Sequence, residues 1–91
     1  MINIYKNLNT LDLHGETTEV SKVLINEFID DNIKMKNTKI IIIHGVGTRK
    51  LLKTTQEVLS KNKYVEDYKL DNFNTGQTIV TLKSRKNPWL F

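Results

Sequence analysis

The 91-residue sequence predicts a two-layer α/β sandwich in β-α-β-α-β-β order, a mixed four-stranded sheet with two helices on one face. Three observations carry that expectation. Residues 11–14 and 77–82 alternate apolar and polar with the period of two that half-buried strands show. The β-branched run 40–43, four isoleucines, is apolar on both faces, as a strand inside a parallel sheet is. Two further stretches place apolar residues at three- and four-residue spacing, the repeat of amphipathic helices.

Each element follows in order. Residues 1–9 are a polar lead-in with room for a short strand at 2–5. The first strand, 11–14, ends at Gly15. Thr17 or Thr18 then caps a helix, with Glu19 in the first turn, where the macrodipole favours an acid. Val20, Leu24 and Phe28, flanked by Ser21 and Ile25, predict one apolar stripe on a helix of about three turns. Asp30, Asp31, Asn32, Lys34 and Lys36 mark its end. The second strand, 40–43, stops at His44, Gly45, Val46, Gly47 and Thr48. Thr48 is the expected cap of a second helix, lined by Leu51, Leu52, Thr55, Val58 and Leu59 and fraying near 61–63. A third strand is expected over 64–70, with Val65 and Tyr68 as its main apolar contributors. Residues 71–76 are turn chemistry, and the last strand follows. Right-handed crossovers make strands one to three parallel, and the short link at 71–76 makes the last antiparallel. The second sheet face is left partly open, with room for a flat ligand. One domain is expected over 10–83, with a basic and aromatic tail at 84–91.

Fourteen basic against ten acidic residues give a net charge of +4, a balance that favours phosphate-rich partners. Cysteine is absent, which excludes a disulfide framework and a thiolate metal site and suits a reducing compartment. The longest apolar run is far below the ~18 residues a membrane span needs. Residues 1–7 lack the charged start and apolar stretch of a signal peptide. A cytoplasmic protein without membrane contact is the expectation.

Two glycine turns carry the chemistry. His14 ends the first strand before Gly15, and His44 ends the second before Gly45. In parallel neighbours both ends reach the same sheet edge, where ligands of such sheets gather. Two imidazoles there are candidates for a general base and a general acid. Asp12, two residues before His14, can orient that ring or merely cap the turn. Either histidine alone would more simply cap a strand or bond a carbonyl. Together with Asp12 they form the candidate catalytic set. Gly45 and Gly47 let the backbone approach a ligand closely, and the helix start after Thr48 offers free N–H groups to phosphate. Arg49, Lys50 and Lys53 stand in the first turns, where a cation is disfavoured by ~0.3–1 kcal/mol. A bound phosphate would offset that cost, whereas a solvated helix end would screen it. Gly15, Gly45, Gly47, Thr48, Arg49, Lys50 and Lys53 are therefore the candidate nucleic-acid-binding residues. One aspartate and two histidines are too few for a metal shell, so neither a metal nor another cofactor is expected. Phe73, Trp89 and Phe91 are able to stack on bases. Phe73 is expected instead to pack beneath its loop, and for Trp89 stacking and folding back onto the sheet stand level.

Leu11, Asp12, Leu13, His14 and Gly15 match the LDLHG signature of the small MutS-related (Smr) domain. His44, Gly45, Val46, Gly47 and Thr48 match its HGxGT loop, and residues 76–80 resemble its closing strand. The resemblance covers about 10–83 and rests on both motifs at the expected distance. It implies the fold of the C-terminal domain of translation initiation factor three, with the last strand inserted between the second and third. It also implies an endonuclease. Members nick DNA or cleave RNA, several act on messenger RNA at stalled or collided ribosomes, and others sit at the C-terminus of MutS-like ATPases. RNA cleavage by Asp12, His14 and His44 is the leading expectation, with RNA or DNA, and the ribosome, as partners. The alternatives are a non-catalytic nucleic-acid- or ribosome-binding module, and a DNA-nicking or regulatory domain related to those ATPases. The sequence departs from the family in four places. The family often has lysine at the place of Val46, a third glycine at Arg49, arginine at Leu52, and a double glycine at Thr75 and Gly76.

Overall fold

β1 spans Asn9–Asp12, α1 Thr18–Lys34, β2 Lys39–Ile43, α2 Lys50–Lys61, β3 Val65–Leu70 and β4 Gln77–Leu82. These elements come from a computed structural model, which describes residues 7–84. The strand expected at 2–5 and the tail residues Arg85, Lys86, Trp89 and Phe91 lie outside the described residues.

The strand order is β1-β2-β4-β3. β1 pairs parallel to β2, with Asp12 opposite Ile43, and β4 runs antiparallel to both β2 and β3. Strands one to three therefore share a direction, and the last strand is inserted between the second and third, as expected. Ile40 and Ile42 of β2, Val80 and Leu82 of β4, and Leu13 form one core with Ile25, Ile29 and Ile33 of α1 and with Val58 and Leu59 of α2. Both helices thus cover one face.

The other face is less open than its sequence suggests. Strand alternation turns Ile41 and Ile79 away from the helices, yet they are only 4% and 3% exposed. Lys39 contributes to this cover. Its Nζ donates to Thr81 Oγ1 at 2.9 Å, across a β2–β4 register pair on this face.

α1 starts where expected. Thr17 Oγ1 accepts from the Val20 N–H at 3.1 Å, the bond of an N-cap. Its inward stripe differs from the predicted one by a residue. Ser21, Ile25, Ile29, Asn32 and Ile33 are buried, whereas Val20 is exposed and Leu24 and Phe28 are half-buried. The helix also runs to Lys34, past the acidic pair read as its end. Asn32 explains the extension, because its polar groups are satisfied inside. Asn32 Nδ2 donates to the Phe28 carbonyl, and Asn32 Oδ1 accepts from Asn9 Nδ2 and Asn37 Nδ2, all within 2.8–2.9 Å. One buried amide thereby ties the start of β1 to the end of α1. The helix closes in a Schellman motif: Lys36 N–H donates to Ile33 O, Asn37 N–H to Asn32 O, and Lys36 takes the left-handed φ of +63° that glycine usually fills. Among the described residues no helix is long and apolar enough to cross a membrane.

Candidate functional site

Parallel pairing of β1 with β2 brings their C-terminal ends to one edge, and the ladder continues one step further through Leu13 N–H to Ile43 O at 2.8 Å. The His14 and His44 turns are therefore neighbours, since paired strands lie about 4.8 Å apart. The loop 71–76 joins the same edge, because His44 N–H and Gly45 N–H both donate to Gly76 O at 2.9 Å.

The first turn is a type II turn. Glu16 N–H donates to Leu13 O at 3.0 Å and Gly15, at φ +83°, supplies the left-handed third position that only glycine adopts without strain. His14 occupies the exposed second position. Asp12 Oδ1 accepts from the His14 backbone N–H at 2.9 Å, so the carboxylate fixes the turn that carries His14.

His44 stands differently. It lies on the helix side of β2 at 5% exposure. Its Nδ1 is 3.1 Å from the Gly45 carbonyl and its Nε2 2.8 Å from Thr78 Oγ1. A carbonyl only accepts, so Nδ1–H donates to it, and in the neutral ring Nε2 accepts from the Thr78 hydroxyl. Burial pushes the His44 pKa down and Arg49 adds to that, while the bond to the Gly45 carbonyl partly opposes it. The ring is thus a neutral clasp between the end of β2 and β4. Thr78 escaped the sequence reading. Its signal is a polar residue at an inward register of β4, in line with Val80 and Leu82.

α2 begins one residue later than expected. Thr48 Oγ1 receives only a long bond from Lys50 N–H, 3.4 Å, and the boundary residue is Arg49. Arg49 has φ +66° and ψ +9°, the left-handed conformation, with no side-chain cap. That is the backbone conformation that glycine usually fills. No acid stands in the first turn, and the N–H groups of Leu51 and Leu52, before the first intrahelical bond from Lys53 N–H to Arg49 O, have no backbone acceptor among the described residues. Arg49, Lys50 and Lys53 are exposed around them, and Arg49 Nη1 reaches Thr75 O at 3.5 Å. Gly45 needs its φ of +77°, whereas Gly47 has open space where a Cβ would stand. Left-handed Arg49 costs roughly 1–2 kcal/mol. Arg49→Gly is therefore expected to raise stability by about 0.5–1 kcal/mol after the added flexibility of the unfolded chain is counted. A thermal melt should move up by about 3–6 °C.

The loop 71–76 is held from within. Asp71 is buried, its Oδ1 accepting from the Phe73 N–H at 2.9 Å and its Oδ2 from Gln77 Nε2 at 2.8 Å. These bonds outweigh burial and hold the Asp71 carboxyl below its ordinary pKa. Asn74 Oδ1 accepts from the Gly76 N–H at 3.1 Å. Phe73 does not pack beneath this loop: it is 97% exposed. The Asp71 bond to the Phe73 N–H holds residues 71–73 in a local turn, and in that turn the aromatic side chain stays in solvent. Among the described residues no three His, Asp or Glu side chains gather as a metal site would require. The cleft lined by Lys22, Asn26, Glu57 and Asn62 lies on the helix layer, away from this edge.

Three loops at the C-terminal ends of parallel strands, one bearing an exposed histidine and one opening a helix among cations, define a small α/β sandwich domain with a basic working edge. A family model for the Smr domain matches residues 11–83. The chain belongs to the Smr domain family, as its paired motifs imply. It is 38% identical over 76 residues to Endonuclease MutS2 of Geobacillus sp. (strain WCH70), covering 84% of this chain and 10% of that protein. It is 37% identical over 78 residues to Endonuclease MutS2 of Halothermothrix orenii, covering 82% and 10%. The chain thus spans about a tenth of the length of these curated relatives. The crystal structure of the Smr domain of Thermus thermophilus MutS2 superposes with a TM-score of 0.81 at 23% identity, over 84% of this chain and 99% of that one. YdaL, a stand-alone small MutS-related protein from Escherichia coli, gives 0.76 at 19% identity, over 82% and 64%. These superpositions confirm the fold class.

Proposed function

We propose that this domain is an endonuclease that grips the phosphates of RNA at the α2 end and cleaves beside His14. The observation that carries the reading is the uncapped, acid-free start of α2 among Arg49, Lys50 and Lys53, on the same edge as the exposed His14 turn. A helix start with free N–H groups is an anion site, and the three cations would neutralise a strand's charge there. The name endonuclease borne by the relatives supports cleavage rather than binding alone.

In this reading Gly15, Gly45, Gly47 and Thr48 let the backbone approach the phosphates. His14 transfers a proton at the scissile phosphate, and Asp12 holds its turn. His44, with both ring nitrogens engaged, keeps the loop of residues 44–48 against β4 and belongs to the site as the group that shapes it. On RNA the 2′-oxygen attacks phosphorus, its proton passes to a base, and the 5′-oxygen leaves with a proton from an acid. A 2′,3′-cyclic phosphate and a 5′-hydroxyl result. His14 fills one of these two roles, and Asp12, whose carboxylate holds the same turn, is the candidate for the other. Messenger RNA exposed on a ribosome would be one source of such a strand.

The test incubates the purified chain with end-labelled RNA and DNA of one sequence, with and without a chelator. Chelator-resistant cleavage of RNA alone, leaving cyclic phosphate ends, is the expected result; cleavage of DNA, or dependence on divalent metal, overturns the RNA mechanism. The burial of His44 favours a second reading, a non-catalytic binder, because only one of the two imidazoles meets solvent. Intact RNA and DNA from about pH 5 to about pH 9 would establish that reading. Both readings share the phosphate grip. Arg49→Glu, Lys50→Glu and Lys53→Glu combined should weaken binding and lower the salt slope by about 0.7 per lost single-strand contact, roughly 2 in all. Acids at a helix start are favourable, so the fold should hold. Unchanged binding by the folded triple variant would move the grip to Lys83, Arg85 and Lys86.

A further inference from the structure

We infer that Phe73 is a base-stacking platform and that the nucleic acid this edge accepts is single-stranded. The inference rests on the phosphate grip proposed above and adds what lies beside it. Phe73 is 97% exposed, although burying such a side chain is ordinarily worth about 1.5–3 kcal/mol. It is not on a loose loop. Asp71, buried, receives the Phe73 N–H and Gln77 Nε2, and Gln77 N–H donates to Asn74 O at 3.1 Å. The loop therefore presents the ring on a braced backbone, and little conformational freedom is left to lose when a partner arrives.

The loop is also tied to the cationic edge. Thr75 O meets Arg49 Nη1, and Gly76 O receives two N–H groups of the His44 loop. On that loop Val46 is 55% exposed, so the apolar character does not stop at the ring. An aromatic ring next to backbone-binding cations is the combination that single strands need: phosphates follow the charges while an unstacked base lies on the ring. A duplex keeps its base faces stacked within the helix and offers the ring nothing comparable. Specific base edges are not read by this contact, because every base has a stacking face.

The experiment measures binding of a labelled single-stranded RNA, the same strand with abasic positions, and its duplex, by fluorescence anisotropy at fixed salt. Phe73→Ala should weaken binding to the intact single strand about 5–150-fold, the equivalent of ~1–3 kcal/mol per stacked base, and change duplex binding by less than about twofold. Phe73→Trp should keep wild-type affinity. The abasic strand should bind wild type about as weakly as the intact strand binds Phe73→Ala. Melting of Phe73→Ala should match wild type, since the ring supports no core. If wild type binds the single strand with the expected salt slope but Phe73→Ala binds equally well, stacking is overturned, the phosphate grip stands, and the exposed ring is left as a protein contact. If duplex binding falls as far as single-strand binding, the single-strand preference is overturned. If wild type binds neither form even at low salt, the phosphate grip fails and the stacking reading fails with it.

Discussion

His14→Ala is expected to lower strand cleavage by about 10²–10⁴-fold, the usual cost of losing a general acid or base. Melting temperature and nucleic-acid affinity should stay near wild type. The reasoning is positional. His14 is exposed at the second place of a type II turn, and that turn is held by backbone bonds and by Asp12. Removing the ring opens no core cavity and breaks no bond that the turn needs. Gly15→Ala is the instructive contrast, because it strains a left-handed backbone position instead. A rate for His14→Ala equal to wild type would place the chemistry elsewhere. Asp12→Asn retains a side-chain oxygen for the His14 N–H, so a large loss of rate there would mean that the charge itself takes part.

The largest effect on stability is expected at His44. His44→Leu removes the donor to the Gly45 carbonyl and strands the Thr78 hydroxyl, which is buried. Buried groups left without partners cost about 1–3 kcal/mol each, so a loss of about 2–4 kcal/mol is expected. In a domain of this size that lowers Tm by more than about 10 °C. Acid should reach the same clasp. The folded His44 has a lowered pKa, so the folded chain resists a proton that the unfolded chain binds. Stability is complete above the ordinary histidine value of about 6.5 and falls as pH drops from there towards the lowered value. Asp71 responds in a separate window. Its carboxyl is depressed by the fold, so its contribution is present above the ordinary carboxylate range and disappears as pH falls through its lowered value. Melts from about pH 7.5 to about pH 5 should therefore show a slope in wild type that His44→Leu lacks. A level wild-type profile, or a variant that melts like wild type, would deny the ring this role.

Much of this fold is legible in the residues. The four isoleucines at 40–43, the alternation at 77–82 and the two histidine–glycine turns are enough to order the elements and align the edge. Misreadings arise where side chains satisfy one another out of sight of local pattern. Asn32 reads as a helix end because asparagine is usually solvated, yet three hydrogen bonds satisfy its side-chain amide in a buried position. Arg49 reads as a helix-start cation, and only the backbone reveals that it occupies a glycine conformation. His44 and His14 read as equivalents, both standing before a glycine. The alternation of the strands separates them, since 44 falls in register with Ile40 and Ile42 whereas 14 lies beyond the ladder. Phe73 illustrates the opposite error: aromatic character argues for burial, yet in the turn that Asp71 holds the ring stays in solvent.

The insertion of β4 between β2 and β3 has a consequence for how the chain is made. Among the described residues β2 and β3 are not neighbours in the sheet, and β3 joins it only through β4, which follows both in the chain. Until residues 77–82 emerge, the described residues before them hold one ladder, β1 with β2, and a β3 without a partner, so one edge of Ile40 to Ile43 and both edges of β3 stay unpaired. Open edges of this kind invite pairing with other chains. Residues far apart in sequence, Ile40 with Val80 among them, must meet before the sheet closes, which favours slow, all-or-none folding over gradual assembly. The strand that completes the structure also carries Thr78, so the His44 clasp is set at the moment the sheet closes, and an incomplete chain has no shaped edge with which to hold a strand of nucleic acid.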